Sequence, residues 1–430
     1  MSFGTSLTGL NAAQSDLDIT GNNIANSNTT GFKESRAEFA DLFSFSNLGV
    51  TGLSIGQGVR LQNVGQQFSQ GQFDFTENSL DLGISGNGFF RMSDDGDVTY
   101  TRAGEFQLDR DGWITNSAGK RLTGYQAQDG EIQGDGTQEL RVQTGNVSPS
   151  ATDTASILAN LDAGAEPRLD DDDEPIGFNP EDTSTYNEST STTFFDSQGN
   201  QRTANFYFQK VGANEWDVYA QVAGSEILDE DGNPIEDDDG NPLDFQKLTS
   251  EGEDPSLSFD GDGVLQGDGT FDQTFNFGDE DVNEMNVGFD LSEITQFGSP
   301  FAVSDINQNG FAAGEFSSLD VESDGTIFAR YTNGQSEVLG RVGISKFPSQ
   351  ENLQPVGDTE WEATFEAGDP VIGQPGTSDF GQIESGALEQ ANVDISEQLV
   401  NMIVAQRNFS ANAKMISTED QITQEILNIR

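Results

Sequence analysis

Residues 3–26 run FGTSLTGLNAAQSDLDITGNNIAN, and residues 395–416 run ISEQLVNMIVAQRNFSANAKMI. In the first stretch apolar groups stand at Phe3, Leu7, Leu10, Leu17 and Ile24, in steps of four and three with Gln14 and Gly21 filling the gaps. In the second the same rhythm places Ile395, Leu399, Met402, Phe409, Ala413 and Ile416. A repeat of about 3.5 residues keeps one stripe of a helix turned toward a partner helix. Both stripes are narrow, and neither helix can bury its stripe against itself. Leu7, Leu10, Leu17, Ile24, Ile395, Leu399, Met402, Phe409 and Ile416 are therefore expected to form an assembly interface. The two terminal helices are expected to pair within a subunit and then pack on neighbours.

The helix boundaries follow from local chemistry. The first is expected over Phe3–Ala25, about 35 Å long, and the turn residues of Asn28–Gly31 should end it. The last should start near Asp394, whose carboxylate can cap the free backbone donors while Glu397 reaches back, and should continue to Ile429, about 50 Å. Residues 1–32 hold only two charges, Asp16 and Asp18. A helix exposed on most sides would carry more, so a second packing layer is expected.

Between the ends the chain changes character. It is rich in Gly (49) and Phe (31), which suits many turns and several β cores. Residues 33–75 look like an extended connector. From Leu80 to Val147 short strands alternate with turns at Asp94–Asp97, Asp109–Gly112 and Asn116–Gly119. Strand patterns resume at Thr192–Phe195, Ala204–Gln209 and Trp216–Gln221, and a last β segment runs from Val303 to Glu384. An acidic run occupies Asp170–Glu174. Asp231-Gly232-Asn233-Pro234 repeats at Asp239-Gly240-Asn241-Pro242, and each copy is expected to be a β-turn in a loop elaboration. The expected fold class is multidomain α+β: a terminal α-helical coiled-coil core plus two mainly antiparallel β domains, discontinuous and nested. The divisions are 1–32 with 386–430 for the helical core, 33–75 for the connector, 76–154 with 301–385 for an inner β domain, and 155–300 for an outer acidic β domain.

Composition excludes much chemistry. Without a single Cys or His there is no disulfide, thiolate zinc site, imidazole base or His-based triad. The charge is −55; the first 50 residues and residues 386–430 account for −3 each, leaving −49 for the middle. Such a body repels nucleic acid and anionic membrane surfaces. A solvated surface adapted to salty surroundings explains this charge, with dedicated cation binding as the other reading. No cleaved export signal is seen at residues 1–30, and no segment has the apolar length to span a bilayer. Asp305, Asn307, Asn309 and Gly310 imitate the first half of a calcium loop, but Phe316 stands where its final Glu belongs, so an ordinary polar turn is expected. Gly86-Asn87-Gly88 lacks the rest of a phosphate loop. No carboxylate pair stands out as an acid–base couple. No cofactor and no enzymatic activity are expected.

Two runs then point to a family. Asn22-Asn23-Ile24-Ala25-Asn26 with Thr29-Thr30-Gly31-Phe32-Lys33, and Gly386-Ala387-Leu388-Glu389 with Asn392-Val393-Asp394 and Gln406-Arg407-Asn408-Phe409, resemble the signatures of bacterial flagellar rod and hook proteins. The departures are Ala391, where Ser is usual, and Gly83, where Ala is commoner. The signature residues are Asn22, Asn23, Asn26, Gly31, Phe32, Gly386, Leu388, Asn392, Asp394, Gln406 and Arg407. The middle selects within the group: Phe195–Asn200, Trp216–Tyr219, Thr295–Gly298 and Arg330–Gln335 resemble hook proteins, while rod proteins generally lack most of this insert. The resemblance is weakest at about 160–185 and 225–280. It implies a non-enzymatic subunit of the flagellar hook, exported through the flagellum's own type III apparatus without a cleaved signal and polymerising with itself under a cap into a curved tubule. That tubule would pass motor torque from rod to filament as a universal joint. Implied partners are the hook cap, the distal rod, the hook–filament junction and the export apparatus; nucleic acid and membrane insertion are not implied. A distal rod protein is the nearest alternative, and a secreted acidic β enzyme the remote one.

Overall fold

The structure, a computed structural model, describes residues 3–42, 56–128, 130–134, 136–142, 145–170, 174–226, 244–248, 256–277, 282–377 and 379–428. Both Asp-Gly-Asn-Pro repeats, the centre of the acidic run and Ile429 lie outside the described residues. The chain divides into two compact units. One comprises Met1–Thr144, Ser317–Arg330 and Ser336–Arg430; the other comprises Gly145–Phe316 and Tyr331–Gln335.

The first unit holds both helices, α1 (Phe3–Ala25) and α2 (Ile395–Asn428). Asp394 caps α2: its Oδ1 accepts from the backbone N–H of Ser396 at 2.8 Å and Glu397 at 3.2 Å. This satisfies donors that the first helical turn leaves without partners. No described helix is long and apolar enough to cross a membrane.

The expected connector is a structured element. Ser35–Asp41 pairs antiparallel with Val59–Gln66, with a register shift between Glu38 and Phe39. Alternation along this ribbon is weak and much of it is exposed, which is why the pattern reads only as an extended connector. It runs along α1: Ser35 at one end bonds Asn23, and at the other end the N–H of Val59 donates to Thr8 Oγ1 at 3.4 Å.

The rest of the first unit is a β-sheet whose neighbouring strands run Ser336–Val342, Arg121–Gln128, Phe89–Asp94, Asp97–Thr101, Glu360–Glu362 and Gln354–Gly357, all antiparallel. Strands before and after the long insert are direct partners: Gly340 faces Gln126 and Val342 faces Gly124. The insert thus falls, in sequence, between two strands that pair with each other. Phe89, Tyr100, Phe347, Leu353, Trp361 and Ala367 form one apolar cluster, with Tyr100 edge-on to Phe347 at 4.7 Å.

The second unit is a pair of sheets packed face to face. Glu188–Phe195, Gln201–Lys210 and Glu215–Val222 form an antiparallel meander. Burying every second residue puts Phe206 and Phe208, then Trp216, Val218, Ala220 and Val222, into the core. The opposing sheet supplies Ile157, Leu161, Phe271, Met285, Val287 and Phe289 to the same core. Trp216 carries its indole N–H inside and donates it to Gln296 Oε1 at 2.9 Å. The opposing sheet is mixed: Thr154–Asp162 runs parallel to Met285–Asp290 and Thr295–Phe297 but antiparallel to Ala302–Gln308.

That last pairing changes two expectations. Ala302–Gln308 is part of the second unit's sheet, so the division placed at 154/155 and 300/301 runs through paired strands. Asp305 and Asn307 sit in this strand, bonded to each other at 2.9 Å, and do not form a turn. Alternating polar residues in a short strand imitate turn composition, and the pairing partner lies about 150 residues earlier in sequence.

One loop recurs. At Asp109, Asn116, Asp196 and Asp260 the side-chain Oδ1 accepts from the backbone N–H groups two and four residues on. The residue three positions on is Gly in every case; Gly199, for example, has φ +81. The Asx acceptor closes the turn, and the left-handed Gly lets the chain re-enter the next strand.

Candidate assembly site

α1 and α2 pack antiparallel. At one end Asn23 Nδ2 donates to Gln398 Oε1 at 3.2 Å. At the other Gly9 lies against Asn412 so closely that a Cβ there would come within 2.8 Å of its side chain. The seam is small and polar. Its buried residues are Ser6, Ala13, Thr20 and Asn23 on α1, and Gln398 and Ala405 on α2. Ser6, Ala13 and Thr20 are one heptad apart, as are Gln398, Ala405 and Asn412. Small residues let the two backbones approach closely, and the polar ones meet each other across the seam.

The period expected from sequence is therefore present, but the apolar stripe is not at the centre of the intramolecular seam. Leu10, Leu17, Ile24, Met402, Phe409 and Ile416 flank it, partly buried. Leu7, Ile395 and Leu399 remain 42%, 46% and 46% exposed. Phe3, Val400, Ile403, Ile422, Ile426 and Leu427 are exposed as well. Periodicity gives the spacing of a face, whereas the phase of the partner depends on which side chains permit the closest approach. Asp16 is half-buried along α1, and burial raises its carboxyl pKa.

Where the helices meet the β part of the unit, the two signature runs come together around one carboxylate. Glu389 is fully buried. Its Oε1 accepts from Lys33 Nζ at 2.6 Å and from the N–H of Gly71 at 2.9 Å. Its Oε2 accepts from Arg102 Nη1 at 3.1 Å. Lys33 Nζ also donates to the carbonyl of Ser69 at 2.8 Å, and Arg102 Nη2 to that of Gly86 at 2.8 Å. Arg102 Nε has no partner, and its guanidinium lies 5.3 Å from the Phe89 ring centroid. Two cations thus share one anion in a dry site. Burial lowers the pKa of Lys33, with Glu389 opposing, and acts the same way on Arg102.

The neighbouring side chains extend this junction. Asn23 takes both backbone groups of Ser35, donating to its carbonyl at 2.8 Å and accepting from its N–H at 3.0 Å. Asn392 accepts from the N–H of Glu34 at 2.7 Å and donates to the carbonyl of Gln67 and the hydroxyl of Ser69, both at 2.8 Å. Gln398 donates to Glu34 Oε1 at 2.8 Å; burial raises the Glu34 pKa while that bond opposes the shift. Gly31 has φ +70, and any Cβ there would meet the backbone of Ala103 at 2.4 Å, so only Gly fits. Gly386, also left-handed, accepts from the N–H of Thr76 at 2.7 Å. Leu388 pairs with Asp74 in a short antiparallel bridge. Phe32 and Asn26 are half-buried, and Asn26 donates to the carbonyl of Asn22 at 3.0 Å. Asn22, Gln406 and Arg407 are exposed.

The signature residues thus fall into two groups, one bracing the junction and one facing outward. Lys33, Arg102, Glu389 and Gln398 were missed as candidate site residues. The available signal was Lys33 itself, the first cation after a charge-poor stretch, and Glu389 inside the second signature run.

Four family models match in chain order. Residues 3–33 match "Flagella basal body rod protein" and residues 83–151 match the "Flagellar hook protein FlgE/F/G D1 domain". Residues 160–311 match the "Flagellar basal body protein FlaE D2 domain", and residues 384–429 the "Flagellar basal body rod FlgEFG protein C-terminal". Over its whole length the chain is 36% identical to the flagellar hook protein FlgE of Salmonella typhimurium, covering all of both proteins across 438 aligned residues. The chain belongs to the flagellar hook protein family. The hook protein of Escherichia coli is also 36% identical, with full coverage of both chains, and that of Borreliella burgdorferi is 31% identical over 100% of this chain and 99% of its own. The crystal structure of the Helicobacter pylori hook protein FlgE2 aligns with 74% of this chain and all of its own at a TM-score of 0.51 and 16% identity, a likeness of fold. As a member of the hook protein family the chain is a structural, non-enzymatic subunit of the flagellar hook, the extracellular part of the flagellum at that point.

Proposed function

We propose that this hook-family subunit polymerises through the outward face of its terminal helix pair. One observation carries the reading: α1 and α2 satisfy each other through a small, polar seam and leave their large apolar side chains outside it. Leu7, Leu10, Leu17, Ile24, Ile395, Leu399, Met402, Phe409 and Ile416 then line contacts with neighbouring copies, and Val400 and Ile403 join them. Full burial of one such side chain is worth about 1.5–3 kcal/mol, so a handful per subunit is enough to drive association. Asn22, Gln406 and Arg407 face the same neighbours.

In this reading residues 1–32 and 386–430 form the inner wall of the tubule, and the acidic insert lies toward the outside. The acidic surface keeps outer contacts hydrated and adjustable in salt, while the inner helices hold. A bending, rotating tube needs both. The subunit meets the hook cap during growth, the distal rod at one end and the hook–filament junction at the other, and it reaches them through the flagellar type III export apparatus.

The test is Leu399→Asp. This side chain is exposed in the free subunit, so the variant should fold like the parent, whereas a charge in a buried intersubunit face costs several kcal/mol. Electron microscopy should find no tubules. Normal tubules from a folded Leu399→Asp protein would overturn the assignment of this face.

A further inference from the structure

Phe365 is fully exposed, at 102% of the reference area, yet it does not sit on a loose loop. The residues beside it are tied down. Thr364 Oγ1 donates to the carbonyl of Asn352 at 2.7 Å, and Asn352 Nδ2 donates to the carbonyl of Glu366 at 3.4 Å. The N–H of Ala367 donates to Thr364 Oγ1 at 3.1 Å, and the carbonyl of Ala367 accepts from Ser349 at 3.2 Å. Ala367 is itself completely buried in the cluster of Phe89, Phe347 and Trp361. The backbone that carries the ring is fixed, so only the side chain's own rotamers remain to be ordered when a partner arrives.

The same unit carries a cavity of about 810 Å³, walled in part by Phe32, Ala103, Ala118, Pro355, Thr359 and Trp361. Its rim is strained. Asp358 and Thr359 are consecutive left-handed residues with φ 49 and 56. The two-residue turn between Gln354–Gly357 and Glu360–Glu362 asks for positive φ at both positions, which Asn-Gly supplies at little cost. A β-branched Thr there is unfavourable, and such strain concentrates at functional sites. Thr359 also lines the cavity.

We infer that Phe365 of one subunit seats in this cavity on a second copy of the chain. The inference rests on the polymerisation reading and adds a second contact outside the terminal helices. A projecting ring and a concavity on one body are two different patches, and two different patches in contact make a head-to-tail interface. Such interfaces generate helical polymers when they do not close into rings. A rigid aromatic entering a partly apolar cavity is also the usual anchor of a protein interface.

The chain has no cysteine, so a designed pair is the only thiol pair present. One preparation carries Glu366→Cys, exposed beside the intact ring of Phe365, and the other Ala118→Cys, at the exposed rim. Mixed under polymerising conditions and oxidised, they should give a disulfide-linked dimer that neither gives alone. Phe365→Ala, which removes only exposed atoms, should raise the critical concentration for polymerisation at least tenfold. Polymers that form without the cross-link, or a Phe365→Ala protein with an unchanged critical concentration, would overturn this contact while leaving assembly through the helices standing. Failure of the unaltered protein to polymerise would overturn both.

Discussion

Replacing Glu389 by Gln keeps the size of the side chain and removes its charge. In the native junction that charge is shared by Lys33 Nζ at 2.6 Å and Arg102 Nη1 at 3.1 Å, and all three side chains are at most 3% exposed. Removing one partner of a buried ion pair costs about 3–5 kcal/mol, because the other charge is left without compensation. Here two cations are left, so the upper half of that range is expected. For a unit of this size each kcal/mol lowers the midpoint by about 2–4 °C, giving a loss of roughly 8–20 °C by thermal unfolding of the monomer. The pH dependence separates this from simple loss of packing. Burial already sets the folded pKa of Lys33 below its unfolded value. Between those two values the unfolded state binds more protons, so stability rises with pH there. Without Glu389 the folded pKa falls further and the window widens toward neutral pH. As pH rises toward the ordinary lysine value, the Glu389→Gln protein should therefore regain stability more steeply than the parent. Adding Lys33→Met should return part of the loss, since one stranded cation is gone. A Glu389→Gln protein within about 1 kcal/mol of the parent, with a parallel pH profile, would refute the claim that this carboxylate holds the junction.

Ala405→Leu tests the helix seam from the opposite side to Leu399→Asp. Ala405 is wholly buried where α1 and α2 approach, so overpacking should cost about 1–3 kcal/mol and appear as lost helicity by circular dichroism in the monomer. In the second unit, Asp196 accepts from Gln198, Asn200 and Arg202. Burial works against its charge, but the bonds from Asn200, Arg202 and Gln198 outweigh it and hold the pKa below the ordinary carboxylate value. A depressed carboxyl pKa stabilises above the unfolded value and loses that contribution as pH falls through the folded one. Asp196→Ala should thus cost about 2–3 kcal/mol at neutral pH in urea titrations, and the gap from the parent should narrow below about pH 4. With −49 on the middle of each subunit, tubules should be stable near 1 M salt, where screening is about 3 Å, and should loosen near 0.01 M, where it is about 30 Å. Sedimentable mass that is equal at both ends would mean that bound cations pair the acidic surface or that it faces no neighbour.

Much of this protein was legible from residue order alone, for a definite reason. Helix ends depend on groups within a few positions, so Ala25 and the Asp394 cap could be read directly. The Asx–Gly turns at Asp109 and Asn116 are equally local. The two signature runs and the hook-like middle segments carried the family, because a family is a pattern of residues and spacings. Contacts distant in sequence were not legible. That Ala302–Gln308 joins Thr154–Asp162, and that Ser35–Asp41 joins Val59–Gln66, depend on pairings that neither strand announces. The heptad of the terminal helices was visible, but its phase was not. Ser6, Ala13 and Thr20 take the seam because only small side chains let α2 come close, and this turns Leu7 and Leu399 outward. Lys33 and Glu389 stand 356 positions apart; only folding brings one to the other and excludes the water that would otherwise make their charges unremarkable.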